Sequence, residues 1–515
     1  MTLEPLDAAG LPQPVDVSDN TADLARVDEV IAAGPFDATW ESLSGYRPPR
    51  WFAEAKFGIF LHWGAYSVPA FETEWYPRNM YRRGSPAFEH HVATYGPQST
   101  FGYKDFLPAF RMEKFDPAEW VALFKRAGAQ YVVPVAEHHD GYAMYETKRS
   151  RWNAALIGPR RDVMKDLLTA VDDAWLIRGA SSHRAEHWFF MNGGLEFDSD
   201  VRDPAYADLY GPALRKEISP TERFLEDWLL RTVEIIDNYR PQLLYFDTGI
   251  EEPSFDPYVR RLAAYYYNRA AEWGREVVIN YKWDAFASGA AVPDIERGTA
   301  PGIQSMPWQN DTSVSRTSWS WVEGHDYKTA TELIAELADV VSKNGNLLLN
   351  IGPKPDGTIP DPEARLLEEI GAWLAVNGEA IFGTTPWTTY GEGPTQTLAG
   401  SFVDASSAHY SDADFRFTTM TEVGHRYVYA IALAPSPSGR LSIRSFAASS
   451  RLVGEIRDVR VLGHSGTVQW RRGDEALEVE LPEESRSRAG GSVVRIELEP
   501  ERDGERIDFF HGLWI

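Results

Sequence analysis

Between about residue 50 and residue 385 the chain repeats one pattern: a short apolar run ends in polar or ionisable residues, and a helical pattern usually follows. That alternation predicts a parallel βα architecture. Eight runs qualify as strands: residues 57–62 in KFGIFLHWG, 131–139 in YVVPVAEHHDG, 176–183 in LIRGASSHRAEHW and 243–247 in QLLYFDTG. The other four are 277–283 in VVINYKW, 293–296 in PDIERG, 306–309 in MPWQND and 346–351 in GNLLLNIGP. Helical periodicity intervenes at 117–127, 162–174, 221–238, 257–273 and 329–343. No helix separates the sixth and seventh runs, so a (β/α)8-like barrel is expected, irregular at that point.

The ionisable residues sit where the strand runs end. In such a barrel the site lies at the C-terminal ends of the strands, which gives His62, His138, His139, Asp247 and Glu296 a positional argument beyond residue type. From about residue 395 the pattern changes. Segments such as RYVYAIALA, GRLSIRSF, EIRDVRVLG, GTVQWRR, ALEVELP and SVVRIELEP alternate with period two and are separated by turn-forming residues. They predict an antiparallel β-sandwich. The expected organisation is an N-terminal extension over 1–30, with helical character from residue 23 to 33, a barrel over 31–390 and a sandwich over 391–515.

Composition narrows the class of protein. Of 515 residues, 43% are hydrophobic and 25% charged, as in ordinary soluble domains. The net charge of -25 argues against nucleic acid and anionic membranes as partners. No apolar run reaches the ~18 residues of a membrane span. The absence of cysteine excludes disulfides, thiolate catalysis and Cys-ligated zinc. With no basic and apolar leader at the N-terminus, a cytoplasmic location is expected. The 18 tryptophans fit a ring-rich core, and they equally suit stacking on the apolar face of a sugar.

Asp247 directly follows a buried strand run, where a carboxylate can attack an anomeric carbon; an N-cap for the next segment is the alternative. Retaining glycosidases need a second carboxyl group about 5–5.5 Å away with a raised pKa. Glu296 ends another strand run and is the best candidate, with Glu251, Glu252 and Glu74 as rivals. Five of the twelve histidines (His62, His138, His139, His183 and His187) fall in three strand-end segments. As neutral imidazoles they can donate to sugar hydroxyls, and as ligands they can hold a metal. Strand alternation would point His138 and His139 to opposite faces, which disfavours one shared ion. Trp75 is either a stacking platform or a core ring. Asn346 and Asn350 look like structural amides that tie down the barrel end.

The segments GPFDATWESL, WFAEAKFGIFLHWGAYSVP, EWY, FDPAEWVALFKRAGAQYVV, EHHDGY, LLYFDTG, PWQNDTS, VVSKNGNLLLNIGPKPDG and NGEAIFGTTPW, in this order, resemble the α-L-fucosidases of glycoside hydrolase family 29. They span roughly residues 30–390. The resemblance implies hydrolysis of terminal α-L-fucose from oligosaccharides or glycoconjugates, with retention and with no metal or other cofactor. It implies Asp247 as nucleophile and Glu296 as acid/base, with His62, Glu74, Trp75, His138 and His139 around the sugar. Three departures stand out. Ser181, Ser182 and His183 replace a common Tyr-Tyr-Ser run, so a polar contact from Tyr would be either lost or supplied by His183. Lys282 stands where some relatives have Arg, which changes a bidentate clamp into a point charge. The stretch VDDAWLIRGAS lacks the usual glycine before the third strand.

Three readings compete with the fucosidase expectation: a glycosidase for a related sugar such as α-L-galactose, a non-catalytic fucose-binding protein, and a metal-dependent hydrolase built on the histidines. A homo-oligomer is compatible with all of them.

Overall fold

The computed structural model describes residues 3–6, 10–403, 409–422, 424–487 and 489–499. The ends of the expected extension and sandwich, residues 1–2 and 500–515, lie outside them. Eight strands form one parallel sheet: β1 (Phe57–Leu61), β2 (Tyr131–Glu137), β3 (Ile177–Ser182), β4 (Leu243–Phe246), β5 (Val278–Tyr281), β6 (Val292–Pro293), β7 (Trp308–Ser313) and β8 (Gly345–Ile351). Their order is β6-β5-β4-β3-β2-β1-β8-β7. A parallel bridge between Asp294 and Gln309 closes the ring. The backbone amides of Ile295 and Arg297 extend that seam, each donating over 2.8 Å to the carbonyls of Gln309 and Asp311.

The strands read as near-continuous apolar runs because helices cover the outside while side chains fill the inside. The helix Val163–Asp173 buries Val163, Met164, Leu167, Leu168 and Val171, one stripe of a 3.6-residue period. Its N-cap Asp162 accepts from the Lys165 amide at 2.9 Å. At the other end Trp175 takes the left-handed conformation, φ 62°, although 92% exposed. It occupies the junction where a glycine was expected. Among the described residues no helix joins β6 to β7, as the sequence pattern anticipates, and none joins β5 to β6 either.

Strand seven differs from expectation. The pattern ends it at Gln309, whereas β7 runs to Ser313 and is buried throughout. A strand reading WQNDTS can be buried because its side chains are paired inside the barrel. The Gln309 amide donates to Asp294 at 2.9 Å and accepts from the Tyr131 hydroxyl at 3.2 Å, while the Tyr245 hydroxyl donates to Asp311 at 2.8 Å.

Two antiparallel sheets make up the C-terminal sandwich. The larger holds β9 (Thr385–Glu392), β10 (Phe415–Glu422), β11 (His425–Ala432), β13 (Ile456–Val461) and β16 (Val493–Leu498). The smaller holds β12 (Arg440–Ile443), β14 (Trp470–Arg472) and β15 (Leu477–Glu480). Their shared core includes Trp387, Phe417, Phe446, Leu477 and Ile496. The expected division at residue 390 falls inside β9, whose mostly polar, half-buried residues (TPWTTYGE) hide its strand character. The barrel helix Ala330–Ser342 carries the junction: Asp339 binds Arg416 of the sandwich at 2.5 Å and Lys343 at 2.8 Å.

Candidate active site

The C-terminal ends of the strands surround a cavity of about 310 Å³. His62 follows β1, His138 and His139 follow β2, His183 follows β3, Asp247 follows β4, Lys282 follows β5 and Glu296 lies three residues past β6. The structure brings every predicted site residue to this mouth. All but His139 line the cavity. His139 stands one layer back, against Trp75 and Phe190.

Asp247 is held from three sides. Oδ2 accepts from His183 Nδ1 at 2.9 Å and from His139 Nε2 at 3.2 Å, and Oδ1 meets Lys282 Nζ at 3.1 Å. Burial alone would raise its pKa, but Lys282 and the two imidazoles outweigh it and hold the carboxyl well below the usual range. Glu296 has the opposite tuning. Burial pushes it up, the pull of Lys282 opposes, and the Asp311 and Asp247 charges push further, to about 7. Lys282 Nζ spans the two, 2.5 Å from Glu296 Oε2 and 3.3 Å from Asp311 Oδ2. Despite its burial these carboxylates raise its pKa well above that of a free lysine.

The histidines divide by protonation. Burial keeps His62 and His138 neutral, their pKa values well below 6.5. Asn350 Oδ1 accepts from the His62 backbone amide at 3.0 Å and from Nδ1 at 2.7 Å. That bond places the proton on Nδ1 and leaves Nε2 as an acceptor, where a donor was anticipated. Burial also lowers His183, against the pull of Asp247. With Nδ1–H committed to Asp247, its Nε2 accepts a short hydrogen bond from Ser181. His139 is the exception: burial would lower it, but the bond to Asp247 and the Glu186 charge raise it. Strand alternation does not separate His138 from His139, because β2 ends at Glu137 and both rings lie on the turn, 4.6 Å apart.

Glu74 is buried, its Oε2 accepting from the Trp319 amide at 2.9 Å. Among the rivals for a catalytic carboxyl, Glu251 accepts from the Gly249 amide at 2.6 Å and Glu252 caps the turn at Ser254. Both are tied to local backbone rather than to the cavity. Two triads bring ligand atoms within 4.8 Å of one another, His62 with His138 and His183, and His139 with His183 and Asp247. In the second, the Lys282 ammonium already supplies the positive charge beside Asp247.

Sequence reasoning missed Asp311, Trp319, Arg297 and Phe402, which also line the cavity. Ending strand seven at Gln309 left Asp311 outside the barrel. Trp319 lies in SWSW, beyond any strand run, and the Arg297 guanidinium packs on its ring at 4.7 Å. Phe402 comes from a segment assigned by pattern to the sandwich.

Two carboxyl groups of unequal proton affinity across one small polar cavity suit glycoside hydrolysis. A family profile described as Alpha-L-fucosidase matches residues 24–379. Human plasma α-L-fucosidase is 30% identical over 460 residues, covering 88% of this chain and 90% of that protein. Human tissue α-L-fucosidase is 31% identical over 478 residues, covering 89% and 91%. The solved structure of Thermotoga maritima α-fucosidase in complex with fucose matches with a TM-score of 0.68 at 29% identity, covering 90% of this chain and all of that one. The chain belongs to the α-L-fucosidase family.

Proposed function

We propose that this protein is an exo-acting, retaining α-L-fucosidase working by double displacement. Asp247 attacks the anomeric carbon, and Glu296 gives its proton to the departing glycosidic oxygen. Glu296, now a carboxylate, removes a proton from water, which attacks the anomeric carbon and frees Asp247. The carrying observation is the Lys282 bridge. Nζ lies 3.1 Å from one carboxylate and 2.5 Å from the other, so those oxygens are no farther apart than about 5.6 Å, short of the separation that inversion needs.

Unequal proton affinities support the division of roles, since the nucleophile must start ionised and the acid protonated. His62 Nε2, Glu74 and His138 face the sugar hydroxyls, and Trp75 shapes the wall. His139 and His183 hold Asp247 in line and stabilise its charge. Proton NMR of fucose released from an aryl α-L-fucoside tests the reading. It predicts α-fucose first, then mutarotation, with turnover lost in Asp247→Ala. β-Fucose first, or an Asp247→Ala variant as fast as the parent, contradicts it. An α-L-galactoside assayed in parallel separates the fucosidase reading from that of the related sugar.

A further inference from the structure

The cavity is small, at the lower end of the ~300–1,000 Å³ range of small-molecule sites, and its rim on the Glu296 side is unlike the rest. Three non-glycine residues there hold left-handed backbone: Trp283 at φ 60°, Arg297 at φ 44° and Phe402 at φ 58°. L-residues adopt that region at a cost, and such outliers cluster where function over-determines the backbone. Two of them display large rings to solvent, Trp283 being 52% and Phe402 59% exposed. Their centroids are 6.4 Å apart and their planes 33° from parallel. The tilted pair leaves much of both rings open to solvent; Phe402 lines the cavity together with Glu296, and Trp283 follows Lys282, whose ammonium binds the Glu296 carboxylate.

Phe402 does not belong to the barrel. It is delivered by the segment between β9 and β10, which docks on the mouth through main-chain bonds. Gly400 and Thr299 exchange amide-to-carbonyl bonds of 2.9 and 3.3 Å, and the Phe402 amide donates to the Glu296 carbonyl at 2.8 Å. The approach needs glycine at 298, where a Cβ would meet the Gly400 carbonyl oxygen at 1.8 Å. Trp283 comes from the other side, next in sequence to Lys282, which binds the same Glu296.

We propose that Trp283 and Phe402 form a subsite for the leaving group: a hexopyranose unit whose apolar C–H face lies against the two rings while its bridging oxygen reaches Glu296. The segment carrying Phe402 thereby gives the sandwich region a part in choosing the substrate. This rests on the fucosidase reading of the same site. Both side chains are exposed, and the bond from Phe402 to Glu296 is made by the main chain, so truncating the rings leaves the catalytic groups in place.

The test compares two substrates in the full-length protein: α-L-fucosyl fluoride, whose leaving group cannot touch the rings, and a disaccharide of fucose α-linked to a hexopyranose. For Trp283→Ala and Phe402→Ala, kcat/KM on the disaccharide is expected to fall about tenfold, with the fluoride unchanged. Gly298→Val, which displaces the segment, should reproduce the Phe402→Ala loss, and Phe402→Tyr should restore the rate. Unchanged disaccharide rates overturn the subsite, and so does an equal fall on both substrates. If the wild type turns over neither substrate, the fucosidase reading itself fails, an outcome distinct from loss in the variants alone.

Discussion

Replacing Lys282 by methionine probes the electrostatics of the site most sharply. The ammonium stands 3.1 Å from Asp247, 2.5 Å from Glu296 and 3.3 Å from Asp311. At an effective dielectric near 20, unit charges about 3 Å apart interact by roughly 5–6 kcal/mol, and one pKa unit corresponds to about 1.4 kcal/mol. The raw loss would move Glu296 by about four units. Water entering the vacated volume, and proton uptake by one of the three carboxylates, offset most of it, leaving a rise of about 1–2. The sign is definite. In the proposed mechanism Glu296 acts as an acid, so kcat/KM falls as pH rises through its pKa, near 7 in the wild type. In Lys282→Met that alkaline limb should move to higher pH. The acid limb should move up as well, because Asp247 loses the first of the cations that hold it low. The rate at the optimum should drop about 10²-fold as the fields that fix both groups weaken. Lys282→Arg should keep both limbs within about half a pH unit of the wild type. The assay is the pH profile of kcat/KM on an aryl α-L-fucoside, whose limbs report the coupled pair rather than either residue alone. An alkaline limb that stays put, or moves to lower pH, refutes the reasoning.

Other consequences follow from the same geometry. Glu296→Gln should lower kcat/KM by about 10²–10⁴ on substrates with poor leaving groups, lose less on nitrophenyl fucosides and abolish the alkaline limb; equal losses on both would mean that Glu296 is not the acid. Asn350→Leu removes the acceptor that fixes His62 and the donor to Ser313 Oγ and the Trp319 carbonyl. A raised KM and a stability loss of about 2–3 kcal/mol by denaturant titration are expected, and an unchanged KM would contradict the tautomer argument. Trp175→Gly should stabilise the fold by about 0.5–1 kcal/mol, since an exposed ring at φ 62° is exchanged for a residue at ease there. A lower melting temperature would contradict that.

The barrel was legible because its strands are buried on both faces and so read as uninterrupted apolar runs. The ends of those runs then placed Asp247, Glu296 and the histidines at one mouth. Strand seven was only half legible. WQNDTS has a polar sequence that becomes buried through partners on β2, β4 and the end of β6, and pairing across the barrel leaves no local periodic signal. The same failure hid Asp311. The orientation of His139 was misread for a related reason: the strand stops two residues short of it, and alternation holds only within a strand. Phe402 could not have been found by pattern, because its place at the mouth depends on a docking contact between segments a hundred residues apart.

The central claim is that Asp247 becomes covalently bonded to the sugar. Incubation with a 2-deoxy-2-fluoro-L-fucosyl fluoride, which slows both steps but turnover most, should let the intermediate accumulate. Peptide mapping by mass spectrometry then locates the label. The account predicts one fluorofucosyl group per chain, on the peptide containing Asp247, and none in Asp247→Ala. A label on another carboxylate, or no label while the parent substrate is turned over with inversion, would contradict it.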